Sequence, residues 1–208
     1  MASTASSNLK PRKQPKQARA QSTVDAIFEA SIQVLVSEGP RRLTTSRVAE
    51  RAGVSVGTLY QYFPHKQALF YALNERYLLL LAERIELACA AQHGAVIERM
   101  VEALVMTYWV AKTERSEATR ALYRSIAELD TEPLVAAFAR RVDAATAAML
   151  ESASDACFTD VPTVVLTLLN TIFGTVRSVF ERDLPADKAK AVCEHLVVMC
   201  IAYLRVVN

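Results

Sequence analysis

The sequence predicts an all-α protein. Apolar residues recur three, four and seven positions apart along most of its 208 residues, which is the spacing of one face of an α-helix. No stretch alternates apolar and polar residues for the length of a strand, and turn residues separate the helical stretches. A hydrophobic content of 52% with five glycines indicates a chain that buries a core. We therefore expect about nine helices and no sheet.

Charge is distributed unevenly along the chain. Residues 1–70 contain ten Lys and Arg against four Asp and Glu, a balance of +6, and the rest contain fourteen against eighteen, a balance of −4. A basic first third on a mildly acidic body suits a head that binds a polyanion, although chance variation of surface charge is equally compatible. Residues 1–22 lack acids and helical periodicity. They are predicted to form a flexible basic tail that contacts DNA or serves only solubility.

Three short helices are predicted after this tail. The first has an apolar stripe over Val24–Leu35 and ends near Gly39, because glycine is a frequent C-cap and Pro40 cannot continue a helix. The second is expected over Thr44–Gly53 and the third over Ser55–Pro64, each bounded by a hydroxyl cap and a helix breaker. Each helix offers one apolar stripe, so together they predict a compact three-helix head.

Longer helices are predicted for the remainder. The expected domains are a tail at 1–22, a three-helix head at 23–68 and a larger helical domain at 69–208. The longest uncharged apolar run, Val161–Val176, is shorter than the ~20 residues of a membrane span and contains Thr and Asn, so it predicts a buried helix. The predicted long helices are Lys66–Gln92, Ala95–Thr113, Glu117–Leu129, Pro133–Ser154, Val161–Arg182 and Ala186–Val206.

The second and third helices have the pattern of a helix-turn-helix, which places its second helix in the major groove of DNA. The first residues of that helix meet base edges, and here they are Ser55, Val56, Gly57 and Thr58. Gly57 permits close approach, while the neighbouring hydroxyl and methyl groups suit base edges and thymine methyls. The other predicted DNA contacts, which offer hydroxyls or charge to phosphates, are Thr44, Thr45, Tyr60, Tyr62 and Lys66.

A plainer interpretation of this stretch is a three-helix packing unit with ordinary caps. Val54, Leu59 and Phe63 have the spacing of core residues. However, packing does not easily explain two tyrosines beside Lys66, directly after a Ser-x-Gly-Thr helix start. This combination favours DNA binding.

The stretch resembles the tetracycline-repressor (TetR) family of bacterial transcription regulators. The resemblance covers about Ser22–Leu73 and rests on the motif T-T-x-x-V-A-x-x-A-G-V-S-x-G-T-L-Y-x-Y-F-x-x-K-x-x-L. It implies an Ω-shaped, all-helical homodimer with a DNA-binding head at 23–68 and a ligand-binding and dimerisation domain at 69–208. Such a protein would be a repressor that a small-molecule inducer releases from a palindromic operator. It also implies groove and phosphate roles for the DNA contacts named above. His65 departs from the Asn, Ser or Asp that the family often has there. Because histidine is a poorer N-cap, we expect a less firmly held start of the fourth helix.

The last two predicted helices offer a candidate dimer surface. Small residues form one stripe of the Val161–Arg182 helix, and such a stripe lets two helices approach closely across a two-fold axis. The resemblance implies a four-helix bundle between two subunits at this place. An intramolecular core is the alternative explanation. The predicted interface residues are Thr167, Thr171, Gly174, Thr175, Ser178, Leu196, Met199 and Tyr203.

A ligand pocket is predicted from adaptable Met and aromatic side chains, although each also fits plain core. Arg177 interrupts an otherwise uncharged helix. We expect it to have a partner, either an internal carboxylate such as Glu128 or an anionic ligand. A structural pair or an interface role is favoured over a ligand role. The candidate pocket residues are Met106, Trp109, Phe138, Phe173 and Arg177.

Other function classes receive no support from local motifs. The cysteines at 89, 157, 193 and 200 form no CxxC pair and no zinc spacing, as expected for reduced cytoplasmic thiols. No phosphate loop, G-x-S-x-G elbow or HExxH run occurs, so we expect no enzyme, metal or cofactor. The expected partners are a double-stranded DNA operator, a second copy of the chain and an unidentified small-molecule inducer, with no membrane. The alternative is a helical adaptor or activator whose head binds protein, or DNA without ligand control.

Overall fold

The computed structural model describes residues 18–126 and 131–208, and these residues are helical almost throughout. They contain nine α-helices and one 3₁₀ turn, without a strand, so the prediction of an all-α fold is confirmed. Most of the predicted tail lies outside the described residues, and so does Glu128. The helices are α1 Ala18–Glu38, α2 Thr45–Ala52, α3 Val56–Tyr62, α4 Lys66–Ala91, α5 Ile97–Thr113, α6 Ser116–Ile126, α7 Glu132–Glu151, α8 Val161–Glu181 and α9 Ala186–Val207, and the 3₁₀ turn is Pro40–Arg42.

The start of α1 corrects one expectation. Residues 18–22 were predicted to belong to a flexible tail, but they are the first residues of α1. The absence of an acidic residue and of an apolar stripe does not prevent a helix, because a short polar segment continues a helix that is already formed by its neighbours.

The start of α4 corrects a second expectation. The backbone N–H of Ala68 donates to Nδ1 of His65 at 3.1 Å, so the imidazole occupies the position of an N-cap acceptor. His65 therefore holds the first turn of α4, contrary to the weaker start predicted for a histidine at this place.

The described residues divide into two compact units, the first containing those of 18–77, 117–126 and 131–134 and the second those of 78–116 and 135–208. In the first unit, Ile27, Leu59 and Phe63 are at most 1% exposed. Helix α6 contributes Ala121 and Leu122 to this same hydrophobic core. Val54, also predicted as core, packs against the cluster while remaining half-buried.

The second unit is built on α5, α8 and α9, which pack against one another. Ion pairs join its last helix, α9, to the start of α5. Arg205 Nη2 lies 2.6 Å from Glu98 Oε1 and 2.7 Å from Asp155 Oδ2, while Asp155 Oδ1 accepts the backbone N–H of Ile97 at 3.0 Å. The Asp155 carboxylate thus caps the N-terminus of α5 and also pairs with Arg205 of α9.

Helix α8 has the length and composition of a membrane-crossing helix, and it is the one described helix that does. It exceeds the predicted apolar run because it continues to Glu181. Residues such as Leu168, Ile172 and Val176 are nevertheless buried within the second unit. This burial is what a core helix of a globular protein shows.

Candidate nucleic-acid interface

The turn between α2 and α3 is set by local chemistry. Gly53 adopts the left-handed conformation (φ 68°), and the N–H of Val54 donates to the carbonyl of Ala49 at 3.0 Å, which closes the C-terminus of α2. Ser55 then caps α3, because its Oγ accepts the N–H of Thr58 at 3.0 Å. A hydrogen bond of 3.1 Å between Thr45 Oγ1 and Tyr60 OH joins the two helices. The helix-turn-helix is therefore fixed by contacts outside its apolar core as well.

The first turn of α3 faces solvent. Ser55, Val56 and Gly57 are exposed, and Thr58 is half-buried with its Oγ1 2.8 Å from Ser55 Oγ. A Cβ added at Gly57 would meet only Ser55 Oγ, at 3.7 Å, which is an ordinary contact. The fold itself thus has room for a side chain at Gly57. The missing side chain leaves the backbone open to a partner that approaches α3 from outside.

The flanking predicted contacts are divided between surface and interior. Thr44 and Tyr60 are exposed, whereas Thr45 is buried. The Tyr62 ring is half-buried, packs against the head core and lies 6.4 Å from the Phe63 ring. Tyr62 therefore has a packing role beside the phosphate role predicted for it.

Lys66 is engaged within the first unit. Its Nζ donates to the carbonyl of Pro40 at 3.0 Å and lies 5.2 Å from the centroid of the Phe70 ring. The side chain thereby ties the 3₁₀ turn to the first turn of α4. Its phosphate contact stays a prediction, since the ammonium has further hydrogens to donate.

Two cations that were not among the predicted contacts lie on that turn. Arg41 and Arg42 are both exposed and directly precede the segment that opens α2. Arg47, in the first turn of α2, instead forms an ion pair with Glu38. The Pro-Arg-Arg run after Gly39 was the available sequence signal for Arg41 and Arg42, because it puts two charges in a turn directly before the helix-turn-helix.

The predicted ligand residues are only partly brought together. The ring centroids of Phe138 and Phe173 lie 5.8 Å apart, and those of Phe173 and Tyr108 lie 4.4 Å apart. Trp109 is half-buried, whereas Met106 is exposed with its Sδ 3.9 Å from Cys193 Sγ. The structure thus supports an aromatic cluster around Phe173 and leaves Met106 at the surface.

Arg177 does not lie in the interior, contrary to the setting expected for it. Its side chain is exposed, and its Nε donates to Glu181 Oε1 at 2.6 Å, one helical turn further along α8. The predicted alternative partner, Glu128, lies outside the described residues. The charge in this apolar helix is accommodated because it points away from the core.

Sequence reasoning missed Lys112 in the second unit. Its side chain is 2% exposed, and its Nζ lies 5.2 Å from the centroid of the Tyr108 ring. Burial lowers the pKa of Lys112 to about 7. The four-residue spacing from Tyr108 within an apolar helix was the only sequence sign of this arrangement.

The predicted dimer residues lie mostly on open faces of α8 and α9. Thr167 and Gly174 are exposed, Met199 is 49% exposed, and nothing lies within 4 Å of a Cβ added at Gly174. Leu196, by contrast, is 2% exposed within the single chain and belongs to its core. The predicted residues with intermediate exposure are Thr171, Thr175, Ser178 and Tyr203.

A surface groove of about 580 Å³ runs between these two helices, and a smaller one adjoins it. The grooves share Thr175 and Val192, and their walls are mainly apolar. Sequence reasoning also missed Leu166 and Val198, which are 57% and 66% exposed on α8 and α9.

A capped helix-turn-helix with an open first turn, on an all-helical chain, defines a DNA-binding transcription regulator. Residues 27–73 match the family described as bacterial regulatory proteins of the tetR family, and residues 97–204 match the tetracycline repressor-like C-terminal domain. The chain belongs to the TetR family of transcriptional regulators.

Similar proteins agree with this family. The nucleoid occlusion factor SlmA of Glaesserella parasuis serovar 5 is 34% identical over 113 residues, which cover 54% of this chain and 52% of the relative. The chain therefore matches about half the length of that relative. A TetR-family regulator from Mesorhizobium loti has a TM-score of 0.75 at 18% identity, over 91% of this chain and 98% of the other. SmeT, the repressor of the Stenotrophomonas maltophilia multidrug efflux pump SmeDEF, has a TM-score of 0.66 at 20% identity, over 88% and 91%.

Proposed function

We propose that this TetR-family regulator is a homodimeric repressor that leaves a palindromic operator when a small molecule binds. The first turn of α3 carries this proposal. Val56 and Gly57 are exposed there, and the fold gives no internal reason for the missing side chain at Gly57. An α-helix approaching base edges with a bare backbone position and adjacent hydroxyls suits the major groove.

Phosphate contacts would hold this helix in register. Thr44 and Tyr60 offer exposed hydroxyls, and Arg41 and Arg42 add two exposed cations on the adjacent turn. Such contacts position a protein without specifying sequence, and they make affinity fall steeply with salt. We propose the same role for the remaining hydrogens of Lys66.

The proposed dimer uses α8 and α9. Two observations support it: the apolar groove between these helices, and the open space at Gly174, where a second helix can approach closely. A two-fold axis through this surface would duplicate α3. Half-sites one helical turn apart, about 34–36 Å, would then follow from the symmetry.

We propose that the ligand binds at the aromatic cluster around Phe173 in the second unit and thereby releases the protein from DNA. A ligand there shifts the protein only if it binds the DNA-competent and DNA-incompetent states with different free energies. The structural neighbour SmeT is a repressor by name, which supports the repressor mode for this chain. We place the protein in the cytoplasm and assign it no catalytic activity.

Footprinting on the DNA that flanks its own gene tests the proposal. The wild-type protein should protect a palindrome at low salt and lose affinity as salt rises. Gly57→Leu should abolish protection while the protein remains folded. A wild-type protein that protects no site at low salt would refute DNA-binding regulation.

A second candidate is a DNA- or protein-binding factor that acts without ligand control. This candidate is supported by the relatives named nucleoid occlusion factors, because that name describes a role other than the repression of a gene. Replacing Arg41 and Arg42 with Gln discriminates the two uses of the head. DNA binding should weaken across all sequences with a shallower salt dependence, whereas binding of a protein partner should persist.

A further inference from the structure

The 3₁₀ turn between α1 and α2 contributes none of its own side chains to the head core. No residue of Pro40–Arg42 is buried. Two backbone hydrogen bonds close the turn, from the N–H of Arg42 to the Gly39 carbonyl at 3.3 Å and from the N–H of Leu43 to the Pro40 carbonyl at 3.4 Å. Both are longer than the usual range of about 2.7–3.2 Å. These two bonds alone therefore hold the turn only loosely.

The side chain of Lys66 adds a firmer contact from α4. Its Nζ donates to the Pro40 carbonyl at 3.0 Å in a partly buried place, and it lies 5.2 Å from the centroid of the ring of Phe70, a buried residue. A hydrogen bond from a charged donor is stronger than one between neutral groups, and partial burial reduces competition by water. The ammonium thus holds the same carbonyl that accepts the N–H of Leu43.

Two cations depend on the orientation of this turn. Arg41 and Arg42 are both exposed, and Arg42 lies two residues before Thr44, the N-cap of α2. Consecutive residues of a 3₁₀ turn point about 120° apart, so one rotation of the turn redirects both guanidinium groups. An arginine whose backbone is already fixed gives up less conformational freedom when it binds a phosphate. A fixed turn therefore favours simultaneous phosphate contacts by both arginines.

We propose that Lys66 is a positioning residue for Arg41 and Arg42. Through the Pro40 carbonyl it holds the turn in the orientation in which both arginines meet DNA phosphates. This role is additional to the phosphate contact proposed for Lys66 itself. The inference rests on the proposed function, because it needs DNA as the partner of the head.

Hydrogen exchange of the full-length protein without DNA tests the first step. Lys66→Met keeps an apolar side chain beside the Phe70 ring and loses the donor to Pro40. The amides of Arg42 and Leu43 should then exchange about threefold or more faster than in the wild type, because the turn opens more often. Gln67→Met makes the same replacement at the next, exposed position and should leave both amides unchanged. Wild-type exchange rates in Lys66→Met would overturn the proposal.

A double-mutant cycle on a DNA duplex of random sequence tests the second step, because phosphate contacts do not depend on sequence. Each phosphate contact contributes about 0.9 to the slope of log affinity against log salt concentration. Lys66→Met should lower this slope by more than about 0.9 in the wild-type background, and by at most about 0.9 when Arg41 and Arg42 are already glutamine. The loss of affinity should be at least about threefold larger in the first background, as expected for coupled residues. Lys66→Arg keeps a donor for the Pro40 carbonyl and should restore the slope and the affinity.

Arg51→Met is the charge-matched control, since Arg51 is exposed in the last turn of α2 and lies outside the 3₁₀ turn. Its effect on affinity should be equal in the two backgrounds. Thermal unfolding of each variant checks that the fold is intact. Equal losses for Lys66→Met in both backgrounds refute this inference and leave the proposed regulator intact. A wild-type protein that binds neither the random duplex nor an operator at low salt refutes the proposed regulator, and the role of Lys66 toward DNA with it.

Discussion

Gly57 in the first unit and Gly174 in the second are both exposed glycines inside helices, and their neighbours differ. A Cβ at Gly174 would meet nothing within 4 Å, and one at Gly57 would meet only Ser55 Oγ. Glycine inside a helix costs about 0.5–1 kcal/mol relative to alanine, so neither position is optimal for the isolated chain. Both glycines have hydroxyl neighbours, but Gly174 lies on a long helix whose exposed face also carries Leu166, beside a mainly apolar groove. This difference underlies the two proposed partners, a nucleic acid for the surface around Gly57 and a protein helix for the surface around Gly174.

The largest expected effect is that of Gly57→Leu on operator affinity. The added side chain would hold α3 away from the base edges, so we expect affinity to fall about 100-fold, roughly the loss of one or two good base contacts. Melting temperature should stay or rise, because leucine is the better helix former. Gln33→Leu, which places the same side chain at an exposed position of α1, is the control and should leave operator binding unchanged. Equal operator affinity for Gly57→Leu and wild type would remove Gly57 from the interface.

The second prediction tests the proposed dimer surface around Gly174 with the variant Val198→Asp. Val198 is 66% exposed in the single chain, so the variant should fold, but a charge in an apolar interface should weaken dimerisation by about 10- to 100-fold. Sedimentation velocity over a concentration series measures this change. Leu87→Asp is a matched control, since Leu87 is 72% exposed on α4. Equal dimerisation of both variants would contradict the use of α9.

The third prediction concerns the second unit alone, whose free energy of unfolding should depend on pH through Lys112. The pKa of Lys112 is about 7 in the folded protein and 10.5 for the unperturbed side chain. Between these values the unfolded chain binds more protons, so the free energy of unfolding rises with pH and this contribution is lost as pH falls through 7. From about pH 7.5 to 8.5 the wild type should gain on the order of 1 kcal/mol over Lys112→Met in denaturant unfolding. Parallel pH profiles for the two proteins would show that the amine is not desolvated.

The smallest effect concerns the cap of α4 in the first unit. His65→Ala removes the acceptor of the Ala68 N–H and should lower the free energy of unfolding by about 1 kcal/mol. His65→Asn supplies a good N-cap and should match or exceed the wild type. Urea unfolding measures both variants. An alanine variant as stable as the wild type would show that water satisfies this amide equally well.

The head could be predicted closely because its signals are local. Thr44, Gly53 and Ser55 end and begin helices through bonds to residues at most four positions away, so their spacing in the sequence is informative. The contact of Lys66 with the Pro40 carbonyl joins residues 26 positions apart. Packing of α6 into the head core is also non-local. No short window of sequence contains either contact.

Which faces of α8 and α9 are buried was harder to predict, because both helices are apolar on several sides. Leu196 and Val198 are two residues apart on α9, yet one is 2% exposed and the other 66%. Helical periodicity gives the spacing of a stripe without saying which stripe faces inward when both are apolar. The partner of Arg177 was hard to predict for the same reason: it was expected to be Glu128 or an anionic ligand, whereas Arg177 pairs with Glu181 at the surface of α8.

The hydrogen bond between Thr45 and Tyr60 has a consequence for how this protein can diverge. Each hydroxyl is the partner of the other, so losing one leaves the other without that bond in a partly buried place. Replacing both hydroxyls, by Thr45→Val together with Tyr60→Phe, avoids that penalty, so its effect on the free energy of unfolding should be closer to neutral. Positions 45 and 60 are therefore expected to change together during evolution, and lineages that keep one hydroxyl should tend to keep the other.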